Sequence, residues 1–242
     1  MPSTPASHEP RLARVAALVA DARRARMLCL LLGGDYASAG ELARAASVSA
    51  ATASGHLAKL LDAGFLACEQ RGRHRYYRLA DADVAHALEA LALVAERGSH
   101  ERAWSSPARA RLRYARCCYG HIAGQLGVAV LQGLVDQQWL VAAQDGCFVV
   151  TETGVQALQA LGLDGGAWQR QAGGGGRDVA YGCLDWSERR DHLAGRLASA
   201  LLKHFLDRGW LRRQAGDRAL QVTPAGRWSR GFDWRLQPSS QP

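Results

Sequence analysis

Apolar residues recur at helical spacing along most of this chain, and short extended runs bounded by glycine lie between those stretches. Leu12, Val15, Ala16, Val19 and Ala20 share one stripe, which predicts a first helix. The next apolar block, Met27-Leu28-Cys29-Leu30-Leu31-Leu32, places Cys29 among core positions as a small apolar thiol. Ser38 followed three residues later by Glu41 is a capping-box start for a short helix ending near Ala46. Ser49 then opens a helix to Leu61, with Leu57, Leu60 and Leu61 on the buried side and Thr52, Ser54, His56 and Lys59 on the exposed side. Gly64 stops it, and Phe65 to Gln70 and Arg75 to Leu79 read as two strands joined by Arg71-Gly72-Arg73-His74. From Asp83 to Glu96, Val84, Leu88, Leu91 and Val94 predict a further helix.

Two short helices followed by a basic hairpin form a helix-turn-helix with a wing. Short hydroxyl side chains on the exposed face of the second helix can reach base edges or phosphates in a major groove, and a cationic hairpin tip suits a phosphate backbone. The expected DNA contacts are Arg23, Arg24, Ser49, Thr52, Ser54, His56, Lys59, Arg71, Arg73, His74 and Arg75. Any one of these segments alone is as well explained by an ordinary amphipathic surface helix; their order is what carries the reading.

Ala22-Arg23-Arg24-Ala25-Arg26-Met27-Leu28, Glu41-Leu42-Ala43, Ser49 to Leu61, and Gly72-Arg73-His74-Arg75-Tyr76-Tyr77-Arg78-Leu79 together resemble the winged helix-turn-helix of ArsR/SmtB-type bacterial repressors, over roughly residues 9 to 97. The resemblance implies a homodimer formed by the first and last helices of that region, double-stranded operator DNA as partner, and release when an effector binds. It does not carry over the family's metal sites. No cysteine stands in Glu41-Leu42-Ala43-Arg44-Ala45, and Ala58, Lys59 and Ala63 occupy positions where cadmium- and lead-sensing members place cysteines. Asp83, His86, His100 and Glu101 approach the dimer-helix zinc site with shifted spacing, for which a solvated helix face is the better reading.

Thirty Lys and Arg against 22 Asp and Glu give a net charge of +8, which favours polyanionic partners. The N-terminus has no apolar stretch suited to a signal peptide, and no run approaches the roughly 18 apolar residues of a spanning helix. The expectation is a cytoplasmic protein with no membrane partner, its six cysteines reduced.

The second half contains an internal repeat. His121-Ile122-Ala123-Gly124-Gln125-Leu126, Trp139-Leu140 and Val150-Thr151-Glu152-Thr153-Gly154 return as His192-Leu193-Ala194-Gly195-Arg196-Leu197, Trp210-Leu211 and Val222-Thr223-Pro224-Ala225-Gly226. Each copy predicts a long helix, a hairpin beginning at Trp-Leu, and a short helix after Thr-x-x-Gly, a degenerate winged helix. Gln144-Asp145-Gly146 and Ala215-Gly216-Asp217 supply the hairpin turns, and Trp139 and Trp210 are expected to pack in the core. The expected fold class is therefore mainly α with small β-hairpins (α+β). The expected divisions are a disordered tail 1–8, a winged helix-turn-helix 9–97, a linker 98–106, and a sensor domain 107–236. That domain comprises repeat 107–163, a glycine-rich connector 164–180 and repeat 181–236, with a tail 237–242 after it.

Candidate chemistry lies ahead of the repeated helices, where pairing of the copies would gather Cys117 or Cys118, His121, Cys183, Asp185 and His192. Thiolate with imidazole suits a soft or borderline divalent ion, and cysteine alone suits a trivalent metalloid. Tyr114 and Trp186 would line an organic pocket in the same place. The plain alternative packs the cysteines as small hydrophobes, with the histidines bonding locally. No cofactor is implied beyond a possible divalent metal or metalloid effector. The pattern describes an effector-responsive repressor; the alternatives are a metal-free small-molecule or thiol-redox sensor, an architectural DNA-binding protein, and a Cys/His-dependent enzyme. Against the enzyme, the chain has no glycine-rich cofactor loop, nucleophile elbow or metalloprotease motif.

Overall fold

The computed structural model describes residues 12–97, 106–163, 165–168 and 179–227. The expected tails, His100 and Glu101, and most of the linker and connector lie outside the described residues. The chain divides into two compact units, one of residues 1–31 with 36–84 and one of residues 32–35 with 85–242.

The first unit runs α1 (Leu12–Val19), α2 (Ala22–Leu31), β1 (Ala37–Ser38), α3 (Ala39–Ala46), α4 (Ala50–Asp62), β2 (Leu66–Arg71) and β3 (His74–Leu79). Ser38 caps α3 as its spacing from Glu41 predicts: its backbone N–H donates to Glu41 Oε2 at 2.8 Å, and its hydroxyl accepts from the Glu41 N–H at 3.3 Å. Ser47 closes α3 with φ 56°, and Ser49 caps α4 by accepting from the Thr52 N–H at 3.2 Å. The antiparallel sheet has the order β1-β3-β2, with Leu66 opposite Leu79 at one end and Arg71 opposite His74 at the tip. Met27, Leu28, Leu31, Leu42, Leu57, Leu60 and Leu79 close the core.

Two expectations fail here for reasons of helical phase. The stripe that α2 buries is Arg24, Met27, Leu28 and Leu31, so Cys29 lies off it and is exposed. In α4, Ala53, Leu57 and Leu60 make the buried row while Leu61 is only half-buried.

Helix α5 (Ala82–Ala95) buries Ala85 and Glu89, and leaves Leu91 and Val94 about half exposed. The second unit continues with α6 (Pro107–Tyr114), β4 (Arg116–Cys118), β5 (His121–Ala123), α7 (Gly124–Asp136), β6 (Leu140–Ala142), β7 (Phe148–Val150), α8 (Glu152–Ala160) and α9 (Gly165–Trp168). After these come β8 (Tyr181–Leu184), β9 (Asp191–Ala194), α10 (Arg196–Asp207), β10 (Leu211–Arg213), β11 (Leu220–Val222) and α11 (Pro224–Arg227).

The repeat is larger than the sequence pattern shows. His121-Ile122-Ala123 and His192-Leu193-Ala194 are strands, not the first turns of long helices, and each closes a hairpin in front of its helix. The change of direction falls on Gly124 and Gly195, with φ of 79° and 93°, a left-handed conformation that glycine adopts at no steric cost. Hairpin β4–β5 pairs Cys118 with His121, and hairpin β8–β9 pairs Cys183 with His192. The copies also meet reciprocally: the Cys117 N–H donates to the Arg218 carbonyl at 2.8 Å, and the Phe148 N–H donates to the Ala180 carbonyl at 2.9 Å. Each front hairpin thus leans on the other copy's wing.

Thr151 and Thr223 play matched parts, their hydroxyls donating to the Gln138 and Gly209 carbonyls at 2.8 and 2.7 Å. Helix α8 starts directly after Thr151 instead of after Gly154. Gly154 lies inside the helix against the Trp139 backbone, where a Cβ would collide. One apolar core serves both copies: Leu126, Val130 and Leu134 of α7 join Leu197, Leu201 and Phe205 of α10, with Trp139 and Trp210 packed on its margin.

Candidate functional site

On the first unit, the cap at Ser49 fixes where α4 begins and so which side chains face out. Thr52, Ser54 and Lys59 are exposed, while His56 is half-buried. Thr52 Oγ1 lies 2.9 Å from Ser49 Oγ, so the two hydroxyls are presented together. Arg71, Arg73, His74 and Arg75 are exposed on the hairpin, Arg73 Nε donating to His74 Nε2 at 3.2 Å. Arg71 is held by Glu69 through bonds of 2.9 and 3.1 Å and stacks 4.6 Å from the Tyr36 ring centre, so it is a less available cation than Arg73.

Arg23 is exposed, but Arg24 departs from expectation. Its guanidinium donates to the Leu18 and Ala17 carbonyls at 2.7 and 2.9 Å, closing the end of α1, and its Nη1 lies 3.4 Å from His56 Nδ1. A buried cation bound to two helix-end carbonyls is a structural clamp, and Arg24 is corrected out of the phosphate-contact set.

In the second unit, the two front hairpins bring Cys118, Cys183 and His192 together, all buried, with one potential ligand atom from each lying within 4.8 Å of the others. Strand alternation decides which cysteine belongs. Neighbours in β4 point to opposite faces, so Cys118 joins Cys183, Ala123 and Ala194, whereas Cys117 enters the main apolar core, where burial pushes its thiol up to about 11. Cys117 is therefore corrected out of the set.

Asp185 is not a ligand either. Its Oδ1 accepts from Arg116 Nη2 at 2.9 Å and from the Ser187 hydroxyl and N–H at 2.7 and 3.0 Å. Its Oδ2 accepts from the Gly124 N–H at 2.6 Å and stands 3.3 Å from His192 Nδ1. A carboxylate behind one ring nitrogen is what orients metal-binding imidazoles, since it leaves the other nitrogen to face the ligand. Burial alone would raise the Asp185 carboxyl, but His192 and Arg116 hold it well below the usual carboxylate range.

The electrostatics separate the two histidines. Burial works against charge on His192, yet its partners Asp185 and Cys118 raise it to about 9. The Cys118 thiol is raised well above its usual value by its bond with Cys183 and then by burial. His121 is lowered to about 3, by burial first and then by the neighbouring charges of His192 and His86. His121 stands outside the three-residue group, with its Nε2 accepting from the Gly195 N–H at 3.3 Å.

The two aromatic residues expected to line an organic pocket both have packing partners. Tyr114 packs against the main core, and Trp186 is covered by the Arg116 guanidinium at 4.3 Å from the ring centre. Sequence reasoning missed Arg116 itself, fully buried and balancing Asp185, and the buried Glu89–Arg218 pair. The one hint was an arginine placed directly before two cysteines in an apolar run.

Comparison with known proteins gives a coherent set of similarities. A helix-turn-helix domain family matches residues 19–69. The uncharacterized HTH-type transcriptional regulator YdfF of Bacillus subtilis (strain 168) is 39% identical over 218 residues, 90% of this chain and 94% of that protein. The HTH-type transcriptional regulator Rv0324 of Mycobacterium tuberculosis (strain ATCC 25618 / H37Rv) is 34% identical over 86 residues, 36% of this chain and 38% of that protein. Among solved structures, the homodimeric winged helix-turn-helix domain of Mb0332 from Mycobacterium bovis, a possible ArsR-family regulator, aligns at 28% identity and a TM-score of 0.35, over 40% of this chain and 94% of that one.

Proposed function

From the premise that the chain belongs to the family of HTH-type transcriptional regulators, we propose that it acts as a homodimeric repressor, released from its operator when an effector binds in the second unit. DNA binding lies with the first unit, a winged helix-turn-helix of the ArsR/SmtB type, and the protein is a regulator, not an enzyme. The homodimer is supported by the exposed apolar residues Leu12 and Val15 on α1 and Leu91 and Val94 on α5, stripes that a single chain leaves facing water. Among the described residues no helix is long and apolar enough to cross a membrane.

The observation that carries the effector reading is the Cys118, Cys183 and His192 group. Two buried thiols and an imidazole backed by a carboxylate suit a thiophilic metal or metalloid. Fluorescence anisotropy of the full chain on its operator, titrated with zinc(II), cadmium(II), cobalt(II) and arsenite, tests it. Release by one of these is expected for the wild type and not for Cys118→Ser/Cys183→Ser. A double variant that folds, binds operator and is still released by the same ion would remove the group from the mechanism. A metal-free redox reading is favoured instead if release requires an oxidant and is reversed by a thiol reductant.

A further inference from the structure

The two front hairpins are equivalent by register: Cys118 opposite His121 corresponds to Cys183 opposite His192, and Gly124 after the first pair corresponds to Gly195 after the second. The three-residue group is therefore a symmetric arrangement with one member standing off. The reason is visible in the loops. In the second hairpin, residues 185–190 form a loop whose Asp185 accepts the Gly124 N–H, leaving His192 free to face the thiols. The first hairpin turns through Tyr119-Gly120 alone and supplies no such carboxylate. The Gly195 N–H falls on the His121 ring instead, at a long 3.3 Å.

We propose that His121 completes a Cys118–His121–Cys183–His192 site for a divalent cation of the zinc type, held tetrahedrally by two thiolates and two imidazoles; this rests on the metal-effector reading above. Two imidazoles on one tetrahedral ion with metal–nitrogen distances of about 2.0–2.1 Å have ring centres roughly 5 Å apart. The His121 and His192 ring centres are already 6.3 Å apart. A ring shift of about 1 Å brings the two ring centres to that separation. His121 is buried and has one ring nitrogen without a hydrogen-bond partner, so it has little bonding to lose beyond the Gly195 contact.

Charge selects the ion. Arg116 balances Asp185 and Arg218 balances Glu89, so these two buried carboxylates are already paired and add no net charge to the site. Two thiolates with two neutral imidazoles are then neutralised by a divalent ion, whereas a monovalent or trivalent ion leaves a net charge in a buried interior. A trivalent metalloid also wants a third sulfur, and Cys117 faces the other side of its strand. Binding takes His121 off the Gly195 N–H at the head of α10, which ties occupancy to the helix that packs the two copies together.

The test uses the metal-free full chain titrated with cobalt(II), followed by zinc(II) competition against a chelator. The expected result is one ion per chain, with the visible bands of tetrahedral cobalt, thiolate charge-transfer in the near ultraviolet, and faster hydrogen exchange at the Gly195 amide. His121→Ala should alter the visible bands and weaken zinc at least about tenfold, since loss of even an outer-shell partner costs roughly 10- to 100-fold. Circular dichroism and metal-free operator affinity report whether that variant is folded, and His121→Asn serves as a second variant of retained polarity. Unchanged bands and zinc affinity in a folded His121 variant, or no divalent ion bound by the wild type, overturn the four-ligand site. Four-ligand binding with no change in operator affinity leaves this inference standing and overturns the sensor reading instead.

Discussion

Arg116 and Asp185 form an ion pair of 2.9 Å in which neither side chain touches solvent. Each is also bonded elsewhere: Arg116 to Ser187 Oγ at 3.0 Å and over the Trp186 ring, Asp185 to Gly124 and Ser187. Removing one partner of a fully buried pair leaves an uncompensated charge, at a cost of about 3–5 kcal/mol. Arg116→Met should therefore destabilise the second unit by that order in urea unfolding. A loss below about 1 kcal/mol, the range of exposed pairs, would show that the carboxylate is balanced by other groups.

Two glycines of α7 should respond oppositely to the same substitution. A Cβ on Gly127 would overlap the Ile122 carbonyl, whereas nothing lies within 4 Å of one on Gly133. Alanine in a helix is favoured over glycine by roughly 0.8–1.0 kcal/mol, so Gly133→Ala should raise the melting temperature. Gly127→Ala should lower it by an overpacking cost of about 1–3 kcal/mol and disturb the neighbouring β5 strand that carries His121. Equal effects from both would show that β5 can move away freely.

The stability of the metal-free protein should fall on mild acidification. His121 is lowered to about 3 by burial, so below its unfolded value near 6.5 the unfolded chain takes a proton that the folded chain refuses. Stability is then lost as pH falls from about 6.5 toward 3, by up to about 1.4 kcal/mol per unit. His204, lowered in the same direction, adds to the slope, while Asp185 acts only below the ordinary carboxylate range. His192 has the opposite sign: raised to about 9, it contributes stability that is full below about 6.5 and is lost as pH rises through 9. Unfolding in chelator between about pH 4.5 and 6.5 checks this, and His121→Phe should flatten the curve; an unchanged slope would refute the assignment to His121.

On DNA, Arg73→Ala with Arg75→Ala should weaken binding to every duplex and reduce the salt slope by about one unit per lost phosphate contact. Thr52→Ala or Ser54→Ala should instead change preference among operator variants, and Thr52→Ala removes a hydroxyl that meets Ser49 at 2.9 Å. Arg24→Ala should lower thermal stability while leaving the salt slope intact, because its guanidinium holds the Leu18 and Ala17 carbonyls. A reduced slope in the Arg24 variant would return that residue to the phosphate contacts.

What the sequence determined by itself was what depends on near neighbours. The Ser38–Glu41 box, the Ser49 cap and the basic hairpin around Gly72 are each set within a few residues, and the repeat shows itself by matched positions, so spacing alone exposes them. Tertiary structure decided everything that required knowing which face meets which. Arg24 shares the buried stripe of α2, and only the nearby end of α1 turns it from a phosphate contact into a clamp. His121 and His192 lie on strands where helices were expected, because their hairpins are held by backbone bonds to the other copy, Cys117 to Arg218 and Phe148 to Ala180, which no local pattern encodes. The same packing sends Cys118 toward Cys183 and its neighbour Cys117 into the apolar core, a choice between adjacent identical residues that only strand direction can make.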